Sequence, residues 1–128
     1  EAGLTGGEPL PIPTGLTFHI TPKEVWEAQK ASGSYQPEAF VDEGFVHTTN
    51  DLETLLIPAN EYYSADDRPY VCLTIDLGRV TGEVRFDADP LIYPHIYAAV
   101  PVDSITEVRN AERDSSGTFT GFGPPGDR

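Results

Sequence analysis

Three histidines are the most versatile chemical groups in this chain, and each lies in a short apolar or aromatic stretch. They are Phe18-His19-Ile20, Phe45-Val46-His47-Thr48-Thr49 and Tyr93-Pro94-His95-Ile96-Tyr97. Histidine titrates near neutral pH and can transfer protons, hydrogen-bond or ligate a metal. A polar ring on a core strand needs a partner, whereas one on a pocket rim can serve a ligand. Three such contexts in one small chain predict a shared site.

Spacing weighs the chemistries against one another. Structural zinc favours ligand pairs a few residues apart, but these histidines are separated by 28 and 48 positions, and the chain has no CxxC. Three strands could still converge on a metal, so a three-histidine metal enzyme is the least favoured alternative. Cys72 lies mid-strand without nucleophile-elbow glycines, the setting of a small core residue. No glycine-rich phosphate loop is present.

Strand phase says more. His19 alternates with Phe18 and Ile20 and so shares a face with Thr17 and Thr21. Arg85 and Asp87 share one face by the same period, and Tyr93, His95 and Tyr97 share another. Converging, these would line a pocket of imidazoles, threonine hydroxyls, tyrosine rings and an Arg-carboxylate pair, suited to a ligand with hydroxyls and a flat ring. Each group also has an ordinary structural reading: His19 as a satisfied strand residue, Arg85 and Asp87 as a solvated pair, Tyr93 and Tyr97 as sheet packing.

The elements that must position these residues are legible in outline. Leu16 to Ile20 reads as a strand running into a helix, with Thr21 as N-cap, Pro22 in the first helical position and Glu24 closing a capping box. Trp26 anchors that helix in the core, and Ser32-Gly33 end it. Gly44 to Thr49 reads as a second strand. Asn50 caps a helix carrying Leu52, Leu55, Leu56, Ala59 and Tyr62, kinked or split at Pro58. Tyr70 to Asp76 is the clearest strand, followed by Glu83 to Asp87, Ile96 to Val100 and Ser104 to Arg109. About two helices in the N-terminal half, then a run of strands, predict an α+β domain with mostly antiparallel pairing.

Length and composition bound the rest. A chain of 128 residues makes one domain that buries roughly two-thirds of its unfolded surface. Residues 1–15 read as an irregular arm, 16–110 as the domain and 111–128, rich in Gly and Pro, as a flexible tail. No apolar run approaches the ~20 residues that span a bilayer. Glu1 to Pro13 has neither the basic region nor the apolar stretch of a secretory signal, and one cysteine excludes an internal disulfide. A cytoplasmic protein is expected. Eight basic against 21 acidic residues give a net charge of −13, which opposes nucleic acid as a partner.

The quoted motifs carry a resemblance. Thr17-Phe18-His19-Ile20 with Glu24-Val25-Trp26, Gly44-Phe45-Val46-His47-Thr48-Thr49, and Tyr93-Pro94-His95-Ile96-Tyr97 resemble the family called domain of unknown function 952, over roughly residues 16 to 110. The resemblance implies an ADP-ribosyltransferase-like fold, a split antiparallel β-sheet with a nicotinamide-dinucleotide cleft between its halves. It implies NAD or an ADP-ribose-like ligand, with His19 at the nicotinamide ribose, His47 packed on the nicotinamide and His95 in the third region. Asp87 stands at the acidic position, one methylene shorter than the usual Glu. His47 at the second position is similar to the tRNA 2′-phosphotransferase branch, whose need for basic residues the charge of −13 opposes.

These residues lead to an expected function: binding of an NAD-like or ADP-ribose-bearing ligand, with action on its N-glycosidic bond. Asp87, His47 and His95 are the candidate catalytic residues, and His19, Thr48, Thr49, Arg85, Tyr93 and Tyr97 the candidate ligand-binding ones. Breaking that bond builds positive charge on the ribose, which a carboxylate at Asp87 would favour. Arg85 would face phosphate or pair with Asp87. No metal is expected. A non-catalytic binding or interaction module on the same fold is the main alternative.

Overall fold

The computed structural model describes residues 15–87 and 92–127. Its centre is the strand Tyr70–Asp76 (β4), buried on both faces over six of its seven residues. Period-two alternation sends Val71, Leu73 and Ile75 into one apolar cluster and Tyr70 and Cys72 into another. β4 therefore divides two cores. Leu16–Pro22 (β1) pairs with it antiparallel, setting His19 opposite Leu73 and Ile20 opposite Cys72. The sheet continues through Ile105–Arg113 (β8) and Phe119–Phe122 (β9), in the order β1-β4-β8-β9.

The first core holds Trp26, Tyr35, Ile96, Val100 and Ile105, and the second lies beneath the helix Leu52–Tyr63 (α3) with Leu55, Ala59 and Phe119. Trp26 is buried, as its place on the helix Lys23–Gln29 (α1) predicts. Two short strands, Ser34–Tyr35 (β2) and Val100–Pro101 (β7), pair with each other. A third sheet joins Val46–His47 (β3), His95–Ile96 (β6) and Val84–Arg85 (β5), in the order β3-β6-β5. A single helical turn, Phe40–Glu43 (α2), precedes β3. The architecture is mixed α+β with antiparallel pairing, and among the described residues it has three α-helices rather than about two. None is long and apolar enough, among the described residues, to cross a membrane.

Several local expectations give way to tertiary pairing. β1 runs through Thr21 and Pro22, so Thr21 sits buried in the sheet and no capping box forms. Glu24 instead meets Arg68 at 3.0 Å. The α3 cap is Asp51, not Asn50: its carboxylate accepts from the Thr54 amide at 3.0 Å. α3 runs unbroken past Pro58, whose lost ladder bond is tolerated because Leu55 and Ala59 still pack into the core. The strands expected over Gly44–Thr49, Glu83–Asp87 and Ile96–Val100 shrink to two-residue pairs, although single backbone bonds such as Tyr97 N–H to Glu83 O carry the pairing a little further. Thr49 exchanges both of its backbone bonds with Phe18 on β1, each at 2.8 Å.

The tail expected over 111–128 is corrected too. β8 runs on to Arg113, and β9 brings Phe119 into the second core at 2% exposure. The glycine-rich signal there belongs to a hairpin turn. The Asp114 side chain accepts from the Ser116 and Thr118 amides, and Gly117 adopts φ +92°. The Arg113 guanidinium then donates to the carbonyls of Tyr63, Ser64, Arg68 and Gly117, tying the end of α3 to the sheet. The arm expected over 1–15 lies outside the described residues except for Gly15.

Candidate functional site

The small sheet β3-β6-β5 is what assembles the site. In its register His47 stands opposite His95, and Arg85 stands opposite His95 from the other side. Directly paired residues of an antiparallel ladder share a face, so these three side chains project together while Val46, Val84 and Ile96 turn inward. Gly44, at φ +79°, ends α2 in the left-handed conformation and turns the chain into β3. That turn leaves Glu43 beside His47, its Oε1 2.9 Å from Nε2.

His95 is held differently. Its Nδ1 lies 3.0 Å from Asp87 Oδ2, and the Tyr97 hydroxyl donates to the same oxygen at 2.5 Å. A carboxylate can only accept, so His95 Nδ1 carries the hydrogen and Nε2 is the proton-accepting nitrogen of the neutral ring. The Tyr97 hydroxyl, then His95, hold the Asp87 carboxyl below its ordinary range, and Asp87 in turn raises Tyr97. The pattern is a carboxylate–imidazole dyad steadied by a phenol. The rings of His47 and His95 meet edge to face with centroids 5.0 Å apart.

Phe45 and Glu43 are the residues that sequence reasoning missed. Phe45 stacks on His95 with centroids 4.2 Å apart and planes 15° from parallel, and it also touches His47 and Tyr97. Its signal was its place two residues before His47, on the same strand face. Arg85 departs from expectation: it pairs with Glu83 at 2.9 Å rather than with Asp87, and lies 4.4 Å over the Tyr97 ring.

Beside this cluster a cleft of about 630 Å³ is lined by His19, His47, Thr48, Thr49, Tyr93 and His95 on one side, and by Ile57, Pro58, Glu61, Tyr62 and Tyr63 of α3 on the other. The volume suits a drug-sized or nucleoside-sized molecule. Not every wall residue has a free polar group. The Thr48 hydroxyl donates to Pro94 O at 2.6 Å, and Thr49 is buried in its bridge to Phe18.

His19 is the main departure. It is 5% exposed, its Nδ1 donates to His47 O at 2.6 Å, and its Nε2 accepts from the Tyr35 hydroxyl at 2.8 Å. Burial drives its pKa down to about 4, so the ring is neutral at physiological pH. Both nitrogens are spent on the fold. His19 therefore braces the backbone at His47 from beneath, and a three-histidine metal site loses its first ligand. Among the described residues, no group of three or more His, Cys, Asp or Glu side chains is arranged to hold a metal. Burial likewise pushes the Cys72 thiol up to about 12, which keeps it protonated and unreactive.

The end of the β5–β6 pair away from its connection is tightly toleranced. A Cβ on Gly82 would lie 2.3 Å from the Ala98 Cβ, beside the bond from the Tyr97 amide to Glu83 O. Gly82→Ala is expected to cost about 1–3 kcal/mol in urea denaturation, the cost of overpacking, and to shift the His95 ring resonances. Unchanged stability and unchanged resonances would show that the hairpin yields freely.

Fold and site together define a small α+β domain that presents a carboxylate-held histidine pair at the mouth of an aromatic cleft. The chain belongs to the family described as protein of unknown function DUF952, whose sequence pattern matches residues 20–108. The crystal structure of CC0527 from Caulobacter crescentus is similar, with a TM-score of 0.70 and 20% identity over 83% of this chain and 94% of that one. The solution structure of the same protein gives a TM-score of 0.63 at 21% identity, over 80% and 89%. A structure described as EcPltA gives 0.58 at 14%, over 89% and 85%. At these identities the likeness is one of fold. No curated protein matches the sequence.

Proposed function

We propose that the cleft binds an NAD-like or ADP-ribose-bearing small molecule and that the Asp87–His95 dyad acts on its N-glycosidic bond, on a scaffold of the ADP-ribosyltransferase-like kind. The observation that carries this reading is the Asp87 carboxylate bound to His95 Nδ1, which leaves Nε2 as the basic nitrogen of a cleft-lining ring. His95 accepts the proton of an attacking hydroxyl, from water or another acceptor. The oxygen bonds to the ribose C1′, the C1′–N bond breaks, and its electron pair neutralises the departing pyridinium nitrogen. Asp87 stabilises the imidazolium that forms, a role different from direct contact with the ribose. His47, ringed by Phe45 and Glu43, positions the flat base. With a net charge of −13, the partner is a small molecule, not a nucleic acid.

Calorimetric titration of NAD and ADP-ribose tests the binding. Wild type is expected to release heat with at least one of them, and His47→Ala to bind roughly tenfold more weakly, a loss of about 1.4 kcal/mol. Absence of heat and of chemical-shift change with both of these ligands and with nicotinamide riboside would sink the reading. One observation favours a module that binds without turnover: Asp87 Oδ2 is already engaged twice, by Tyr97 and His95. Release of nicotinamide from NAD separates the two readings.

A further inference from the structure

The charge of the cleft wall points to a narrower ligand class. Two carboxylates, Glu43 and Glu61, line it, and among the described residues no lysine or arginine does. Two guanidiniums outside the wall are committed to carboxylates of their own. Arg85 is paired with Glu83, and Arg68 is shared among Asp66, Glu24 and Glu38. A diphosphate entering this cleft would meet carboxylates without a counter-charge, inside a molecule of net charge −13. The wall also offers the tyrosines Tyr62, Tyr63 and Tyr93 and the edge-to-face histidine pair, surfaces that attract a flat cation.

We infer that the cleft selects a cationic N-ribosyl pyridinium nucleoside, without phosphate, over the corresponding dinucleotide. This rests on the proposed binding of an NAD-type ligand and names which part of such a ligand the site is built for. The pyridinium lies against tyrosine and histidine rings, Glu61 and Glu43 face its positive charge, and the ribose reaches His95. The same charge match makes the bond labile, because the base departs neutral.

Titrations of nicotinamide riboside, its reduced uncharged form, NAD and ADP-ribose into the full chain test this, at low salt and at physiological salt. The oxidised riboside is expected to bind at least tenfold more tightly than NAD and than the reduced riboside. The margin over NAD should narrow as salt screens the carboxylates. Glu61→Gln, a change at an exposed position of α3, is expected to weaken the riboside and strengthen NAD, moving the two in opposite directions. NAD binding as tightly as the riboside would overturn the inference while leaving the proposed function standing. So would equal affinity for the oxidised and reduced ribosides, or a Glu61→Gln effect of one sign on both ligands. Failure of all four ligands to bind would overturn the proposed function itself.

Discussion

Lowering the pH from 6.5 to 4 is expected to remove about 3 kcal/mol of folding stability through His19 alone. The folded pKa is about 4 against 6.5 for the free side chain, and burial is the largest cause. The folded state thus binds fewer protons than the unfolded state between those two values, and stability rises with pH across that window. Each unit of difference is worth about 1.4 kcal/mol, and this ring is buried, so solvent screening does little to reduce it. Above pH 6.5 the contribution is complete, and below 4 it is gone. Asp66 is held low chiefly by its hydrogen bonds from Arg68, and its effect falls in a separate window, below the ordinary carboxylate pKa of 3.8. Urea denaturation at pH 7, 5.5 and 4 reads the slope. His19→Gln is expected to be less stable at pH 7, because the Tyr35 hydroxyl and His47 carbonyl lose a well-placed partner, and to show a flatter profile between 6.5 and 4. A wild-type profile that is level over that range would show that His19 protonates in the native state without penalty.

His95→Gln is expected to lower nicotinamide release by roughly 10² to 10⁴-fold, the usual worth of a positioned general base. Binding should change far less, because Phe45, His47 and the tyrosines remain. Asp87→Asn should act through His95. An amide at that position holds Nδ1 less strongly and does not stabilise the imidazolium, so kcat falls while KM is nearly kept, and the acidic limb of the pH–rate profile moves. Retained binding with no turnover in the wild type would identify the chain as a binding module. Turnover unaffected by His95→Gln would place the base elsewhere.

Much of this was legible in the sequence because it depends on near neighbours. The alternation in Tyr70 to Asp76 reads directly as β4, and the Trp26 position reads as core. The family motifs around His47 and His95 mark the two cleft-lining rings that the small sheet sets side by side. Glu43 was within reach as well, four residues before His47. The glycines near the C-terminus misled because a Gly-rich stretch reads alike in a tail and in a hairpin turn. Only the pairing of Phe119 against the second core distinguishes the two. Thr21 misled because capping propensity is worth about 1 kcal/mol, less than sheet pairing and burial offer at that position; Asn50 misled by one residue, because its neighbour Asp51 caps equally well.

Residue types and strand phase, which are local, determined from sequence that the chain is an α+β protein with histidines, tyrosines and a carboxylate able to share a site. Tertiary structure alone decided which histidine serves which purpose, because that depends on partners far away in the chain. The long-range register puts His19 under the His47 carbonyl and beside Tyr35, where desolvation makes it neutral and structural. It puts His95 beside Asp87 and opposite His47, where the ring keeps one nitrogen to offer to the cleft. All three motifs carry the same imidazole, and burial and hydrogen-bond partners made it a brace at one position and a candidate base at another.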